Sequence, residues 1–186
     1  MKTLAPLALA LALAATTLLA HAGEATPRPA VAAGTVGDEH RRLGELAGLW
    51  AVRQSLWLTP GQPPRVDAGT AEFSIVLGGR ALRQDLRVSS DAPFQGIGHT
   101  GFDNVSRTYF TSWMDVNFTD LLVLRGEYDE ASHTYRFSGS MTGADGTHVP
   151  TREELRVVDA NHLLARYFET KHGTETLVVE LAYSRR

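Results

Sequence analysis

Hydrophobic residues in this chain recur at two spacings, and the change from one to the other falls near residue 48. Between Asp38 and Gly48 the stretch DEHRRLGELAG predicts a short helix. Leu43 and Leu46 share one face, Leu49 or Trp50 extends it, Asp38 can cap its start and Gly48 can stop it. From Leu49 onward the period is two. Trp50, Val52, Gln54, Leu56 and Leu58 alternate with Arg53, Ser55 and Trp57.

The period of two continues to the C-terminus, broken by turn residues. Further strands are predicted over residues 66–76, 80–88, 95–102, 107–115, 120–128, 133–142, 152–158, 162–170 and 174–184. Gly78-Gly79, Asp103-Asn104, Asp129-Glu130, Asp159-Ala160-Asn161 and His172-Gly173 mark tight turns, and 59–64 and 143–150 mark loops. About ten strands at ~12-residue spacing describe an all-β fold, a ten-stranded antiparallel up-and-down barrel with a short N-terminal helix. No helix alternates with the strands, which argues against a parallel α/β sheet.

Ahead of this domain the composition changes. Lys2 followed by an Ala/Leu-rich run and Ala20-His21-Ala22 has the layout of a secretory signal peptide over residues 1–22, cleaved after Ala22. Residues 23–37, rich in Ala, Pro and Gly, read as a disordered linker, and 38–186 as a single barrel domain. The expected location is therefore periplasmic or secreted, with no membrane span once the leader is removed. The chain has 16 Arg against 2 Lys and many Ala, the habit of a GC-rich bacterial genome.

The formal charge of −3 gives no electrostatic footprint for nucleic acid. The absence of cysteine excludes a disulfide framework, thiol catalysis and Cys-zinc sites. Gly96-Ile-Gly98-His-Thr-Gly101 matches the dinucleotide fingerprint in letters only. Phe102-Asp103-Asn104 and another strand follow it, where a phosphate-binding helix would have to begin. Glycines at 96 and 98 share one strand face and leave room for something opposite them. The histidines are dispersed, with no metal-ligand spacing. His162 and His99 would be the candidates for a lone haem ligand, but no motif implies a cofactor of any kind. No serine, lysine or cysteine nucleophile motif occurs, so no catalytic residue is assigned.

Candidate chemistry therefore rests on polar and aromatic residues that share strand faces with the core. Tyr109, Thr111, Trp113 and Asp115 lie on one face of a strand, either as ordinary core or as an aromatic lining with a polar tip. Arg80, Gln84 and Gln54 fall on apolar faces and must find partners or meet water. They could hold the polar end of a ligand, Arg80 matching a carboxylate. They could equally pair with Glu180 or Asp115, or sit at the barrel mouth.

Several blocks together resemble the bacterial domain-of-unknown-function family numbered 1579. They are EHRRLGELAGLW (39–50), LGGRALRQD (77–85), FQGIGHTGFDN (94–104), YFTSWMD (109–115), LRGEYDE (124–130), RVVDANHLLARYFE (156–169) and VVELAYSRR (178–186). The resemblance implies a lipocalin-like barrel, and it transfers no activity. Gly48-Leu49-Trp50 is also similar to the lipocalin G-x-W start, where the Trp closes one barrel end.

The expectation is an exported barrel that binds a small, largely apolar ligand. Trp50, Tyr109, Trp113 and Tyr135 would line the cavity, with Gln54, Arg80, Gln84 and Asp115 as polar contacts. The alternatives are an envelope enzyme with an acid/base pair, Asp115 with Arg80 or Tyr109, and a filled-barrel structural or interaction module. Nothing in the pattern bears on oligomeric state.

Overall fold

The computed structural model describes residues 32–90, 93–143 and 145–186. The expected signal peptide (1–22) and the first part of the linker (23–31) lie outside the described residues. Helix α1 (Asp38–Gly44) is followed by ten strands: β1 (Gly48–Leu56), β2 (Arg65–Val76), β3 (Ala81–Ser89), β4 (Phe94–Asp103), β5 (Thr108–Asp115), β6 (Phe118–Asp129), β7 (Thr134–Thr142), β8 (His148–Asp159), β9 (His162–Lys171) and β10 (Thr174–Arg185). Each strand pairs antiparallel with its chain neighbours, and β1 closes on β10 from Trp50↔Arg185 to Leu56↔Val179. The result is a closed up-and-down barrel with no free sheet edge.

The turns carry a common device. Asp103, Asp115, Asp129, Asp145 and Asp159 each accept a hydrogen bond from the backbone N–H two residues on, at 2.7–3.0 Å. These Asx-turns fix where one strand stops and the next begins. On the outer face, arginines pair with carboxylates along and across strands, as in Arg83–Asp85, Arg152–Glu154, Arg152–Glu175 and Arg166–Glu180.

Three local expectations are corrected. Gly37, rather than Asp38, is the helix N-cap, and its N–H donates to His40 Nδ1 at 3.1 Å. Asp38 falls in the first turn and pairs with Arg41. The helix ends at Gly44 because the chain tightens into i→i+3 bonds, Leu46 N to Leu43 O and Ala47 N to Gly44 O. Gly48 is then the first residue of β1 at φ +142°, a conformation reserved for glycine. Strand β8 starts at His148, four residues early, because Val149 and Thr151 pair with Met141 and Gly139 and are buried. Of the residues assigned to the linker, 33–35 lie against the barrel: Asn104 Nδ2 donates to Ala33 O and Thr35 O.

Two clusters seal the barrel end that carries α1. In the first, Trp50 is fully buried and donates its indole N–H to Leu46 O at 3.1 Å. Its ring meets Phe73 and Tyr183 edge-on. The Arg185 guanidinium lies 4.2 Å from the Trp50 ring centroid and donates to Ala47 O, Glu45 O and Ala160 O. One side chain from the last strand thus ties the helix C-terminus to the first strand. In the second cluster, Phe102, Tyr109, Tyr128 and Tyr135 pack together. Arg42 of α1 stacks on Tyr128, donates to Tyr109 Oη and pairs with Glu130.

Trp50→Ala is expected to destabilise the protein by about 3–5 kcal/mol in urea titrations. Leu58→Ala, at the other end and exposed, is expected to stay within ~0.5 kcal/mol of wild type.

Candidate functional site

The opposite end has no helix over it. It is ringed by the connections at 57–64, 116–117 and 172–173 and by residues 90, 93, 143 and 145–147. A cavity of about 590 Å³ opens there and runs down to Leu86 and Leu181. That is the size range of small-molecule sites. Its walls are mostly apolar, including Leu56, Phe94, Trp113, Leu122, Met141 and Val179.

Trp113 holds one wall through the glycines of β4. It sits directly opposite Gly98 across the ladder, and its ring lies flat over Gly96 as well. A Cβ on Gly96 would come within 2.1 Å of Trp113 Cζ2. The space the two glycines leave is therefore filled by Trp113 itself. Phe94 stacks on the ring, with centroids 6.4 Å apart. The indole N–H donates to Asp115 Oδ2 at 2.8 Å, and Asp115 Oδ1 accepts the Asn117 N–H. Asp115 is thus a rim residue that orients the tryptophan.

Two polar groups lie deep in the barrel: Gln54, on the cavity wall, and Glu153, which is not part of the lining but is hydrogen-bonded to the lining residue Tyr167. Gln54 is 6% exposed and lines the cavity, and its amide has no partner among the described residues. Glu153, 8% exposed, projects inward from β8 in the alternating series Val149, Thr151, Glu153, Leu155. Its carboxyl receives one hydrogen bond, from the Tyr167 hydroxyl to Oε1 at 3.2 Å. Among the described residues the sealed polar side-chain atom without a partner is Tyr135 Oη. Glu153 Oε2, which also lacks a protein partner, therefore keeps accessible surface inside the barrel. Burial pushes the Glu153 carboxyl up to about 7, with the Tyr167 hydrogen bond opposing it. The same burial, with Glu153 beside it, drives the Tyr167 phenol well above its usual range.

The two cations that line the mouth are paired. Arg65 bridges Asp67 at 2.8 Å and Lys171 bridges Glu169 at 2.7 Å.

Of the eight residues picked from sequence, Gln54, Trp113 and Asp115 meet at this cavity. Trp50, Tyr109 and Tyr135 face inward but are packing of the sealed end. Gln84 faces inward with its Nε2 engaged by Tyr183 Oη at 2.9 Å. Arg80 lies at the sealed end, in the β2–β3 turn, where it donates to Leu77 O and Gly34 O. Strand β3 begins at Ala81, so Arg80 stands outside the alternation that seemed to place it on the inner face. Arg80 and Asp115 are at opposite ends, and so are Tyr109 and Asp115. Neither proposed acid/base pair is assembled. His99 is on the outward face of β4, and His162 is hydrogen-bonded to Asp159 at the sealed end.

Glu153 and Tyr167 were not singled out from sequence. The signal was present: extending the β8 pattern back to Val149 puts one carboxylate among Val149, Leu155 and Val157 on a single face.

A closed ten-stranded barrel, plugged at one end and open to a cavity at the other, defines a lipocalin-like barrel protein. The chain belongs to the family described as "Protein of unknown function (DUF1579)", whose model matches residues 35–185. Among solved structures it is similar to Rv2717c from M. tuberculosis, at 17% identity and a TM-score of 0.61 over 82% of this chain and 99% of that one. That likeness shows the barrel fold. No curated protein matches the chain. No helix among the described residues is long and apolar enough to cross a membrane.

The buried carboxyl gives the protein a pH-dependent stability. Folded Glu153 keeps its proton to about pH 7, whereas in the unfolded chain the carboxyl releases it near 4.5. Between those values the folded state binds more protons, so this group's contribution to stability falls as pH rises from about 4.5 to 7 and is flat above. Glu153→Gln is expected to gain up to about 3 kcal/mol over wild type at pH 8 relative to the same comparison at pH 4, read from denaturant midpoints.

Proposed function

We propose that this protein binds one small, largely apolar molecule in the open end of its barrel, and does so outside the cytoplasm after loss of its leader. The observation that carries the reading is the cavity of about 590 Å³, walled mostly by apolar side chains, with the Gln54 amide and the Thr151 and Tyr167 hydroxyls among its lining. That combination suits a ligand with an apolar body and one polar end. Trp57, Leu58, Met114 and Phe118 stand around the mouth, and Leu58, Met114 and Phe118 are exposed. They give an apolar ligand a surface to meet before it enters.

Glu153 favours a second reading, an acid/base site. A carboxyl that titrates near neutrality inside the barrel, hydrogen-bonded to the cavity-lining Tyr167, can hold or take a proton at working pH. Turnover of any bound compound that is lost in Glu153→Gln, with binding retained, would move the assignment from binder to enzyme.

Binding is tested with N-phenyl-1-naphthylamine, whose emission rises on entering an apolar pocket. Wild-type protein is expected to enhance it saturably. Leu122→Trp, which places an indole in the cavity, is expected to abolish the enhancement while melting within a few degrees of wild type. Two of the three tryptophans, Trp57 and Trp113, line the cavity. Intrinsic fluorescence should therefore respond to a ligand in wild type and respond far less in a Trp57→Phe/Trp113→Phe double variant. An unaltered probe signal in Leu122→Trp would overturn the assignment of the site.

A further inference from the structure

We propose that the molecule this barrel takes ends in an uncharged head that carries a hydrogen-bond donor and an acceptor side by side, as a primary carboxamide does. The head pairs with the side-chain amide of Gln54 on the cavity floor. This rests on the ligand-binding reading above and specifies the polar end of the ligand.

The first observation is the height at which Gln54 stands. It belongs to the cavity lining, yet it is only 6% exposed. Across the β1–β10 closure it pairs with Leu181, one of the two residues where the cavity ends. The amide is thus a floor group, below the charged residues of the mouth.

The second is its unspent hydrogen-bonding capacity. Neither amide atom of Gln54 has a partner among the described residues, and neither is sealed, since the sealed unpartnered side-chain atom there is Tyr135 Oη. Both atoms therefore touch open space, which for an inward-facing lining residue is the cavity. The other inward glutamine makes the contrast. Gln84 Nε2 donates to Tyr183 Oη at 2.9 Å, one inward position beyond Leu181. Buried amides are ordinarily engaged in that way.

The third is what such an amide requires of a ligand. Oε1 accepts and Nε2 donates twice. A head without a donor leaves Oε1 bare, and a head without an acceptor leaves the N–H groups bare, each at a cost in apolar surroundings. The lining hydroxyls do not relieve this, because their protons are already given away: Thr151 donates to Val149 O and Tyr167 to Glu153 Oε1. A second amide meets both needs at once, with one N–H···O bond in each direction.

The fourth is the lack of a counter-charge at that level. The floor residues Gln54, Leu86 and Leu181 are all uncharged. Asp67, the ladder partner of Gln54 on β2, is held by Arg65 at 2.8 Å, and Lys171 is held by Glu169 at 2.7 Å. Glu153 lies behind Tyr167 and outside the lining. A carboxylate or an ammonium brought to the floor would give up its water and gain no ionic partner.

The test uses three ligands of one shape: 4-phenylbutyramide, 5-phenylpentan-2-one and ionised 4-phenylbutyrate. Each is titrated at pH 8 into the full mature chain, read by calorimetry and by displacement of N-phenyl-1-naphthylamine. A pocket offering no polar group would rank amide against ketone as hexadecane does when it extracts them from water. Wild-type protein is expected to exceed that amide-to-ketone ratio by about tenfold or more, with the butyrate weakest. Gln54→Leu and Gln54→Met are each expected to bring the ratio down to the hexadecane value. The wild-type ratio decides the matter even where a variant folds poorly. A wild-type ratio no higher than the hexadecane partition, butyrate binding tighter than the amide, or a ratio that stays raised in both variants would overturn the proposal. If the probe and all three compounds fail to bind, the ligand-binding reading fails with it. If the probe and the ketone bind and the amide gains nothing, only this inference fails.

Discussion

The pairing of β1 with β10 is the constraint on which the rest of the molecule depends. Once ten strands close, the circumference is set, and the ring encloses more width than small side chains can fill. The protein meets that excess differently at its two ends. At the α1 end, aromatic rings from seven strands and two arginines fill it. Trp50 and Arg185, themselves a ladder pair across the closure, fasten the helix over the opening. At the far end the inward positions carry mostly aliphatics and polar residues, the Trp113 ring lies against the wall over Gly96 and Gly98, and the excess becomes a cavity. Sealing one end is what makes the other a pocket rather than a channel.

The polar groups of the interior follow the same division. Near the sealed end, Gln84 and Tyr183 satisfy each other, and Arg42 reaches in to satisfy Tyr109. Toward the cavity, Glu153 and Gln54 keep capacity unspent. A carboxyl in such a place lowers stability at neutral pH, because the unfolded chain ionises more easily. Replacing it with an apolar residue of similar size would remove that penalty. A destabilising group held by packing on both sides of β8 is the pattern of a site rather than of a core.

The fold was legible in the chain because turn chemistry and period agree. Each Asp-initiated turn ends a run of alternation, and the runs are too short for anything but strands. The site was less legible, for two physical reasons. Alternation says that Trp50, Tyr109, Tyr135 and Trp113 share the inner surface, but not at what height along the barrel axis each lies. Height separates packing from lining here, and it depends on the register of all ten strands. Arg80 fails for a different reason: a residue just before a strand looks in phase with it, yet its backbone belongs to the turn. Glu153 was hidden by a boundary, since Pro150 made the start of β8 resemble a loop. Proline lacks an N–H but is tolerated where the neighbouring ladder does not need one, and the strand runs through it to His148.

Cavity and carboxyl together imply a ligand-linked stability. An open interior forgoes dispersion contacts that a filled barrel would make, and Glu153 adds the electrostatic penalty of an unpaired acid. The void lies at the open end, and Glu153 lies behind its lining residue Tyr167. A molecule that fills the void restores the missing contacts, and by mass action its binding free energy appears as folding stability. The sealed end, which among the described residues has no such deficit apart from the Tyr135 hydroxyl, holds the barrel closed independently of the other end. That arrangement lets the open end remain imperfectly packed without loss of the fold, which is the physical condition any β-barrel must meet before it can act as a receptor rather than merely a scaffold.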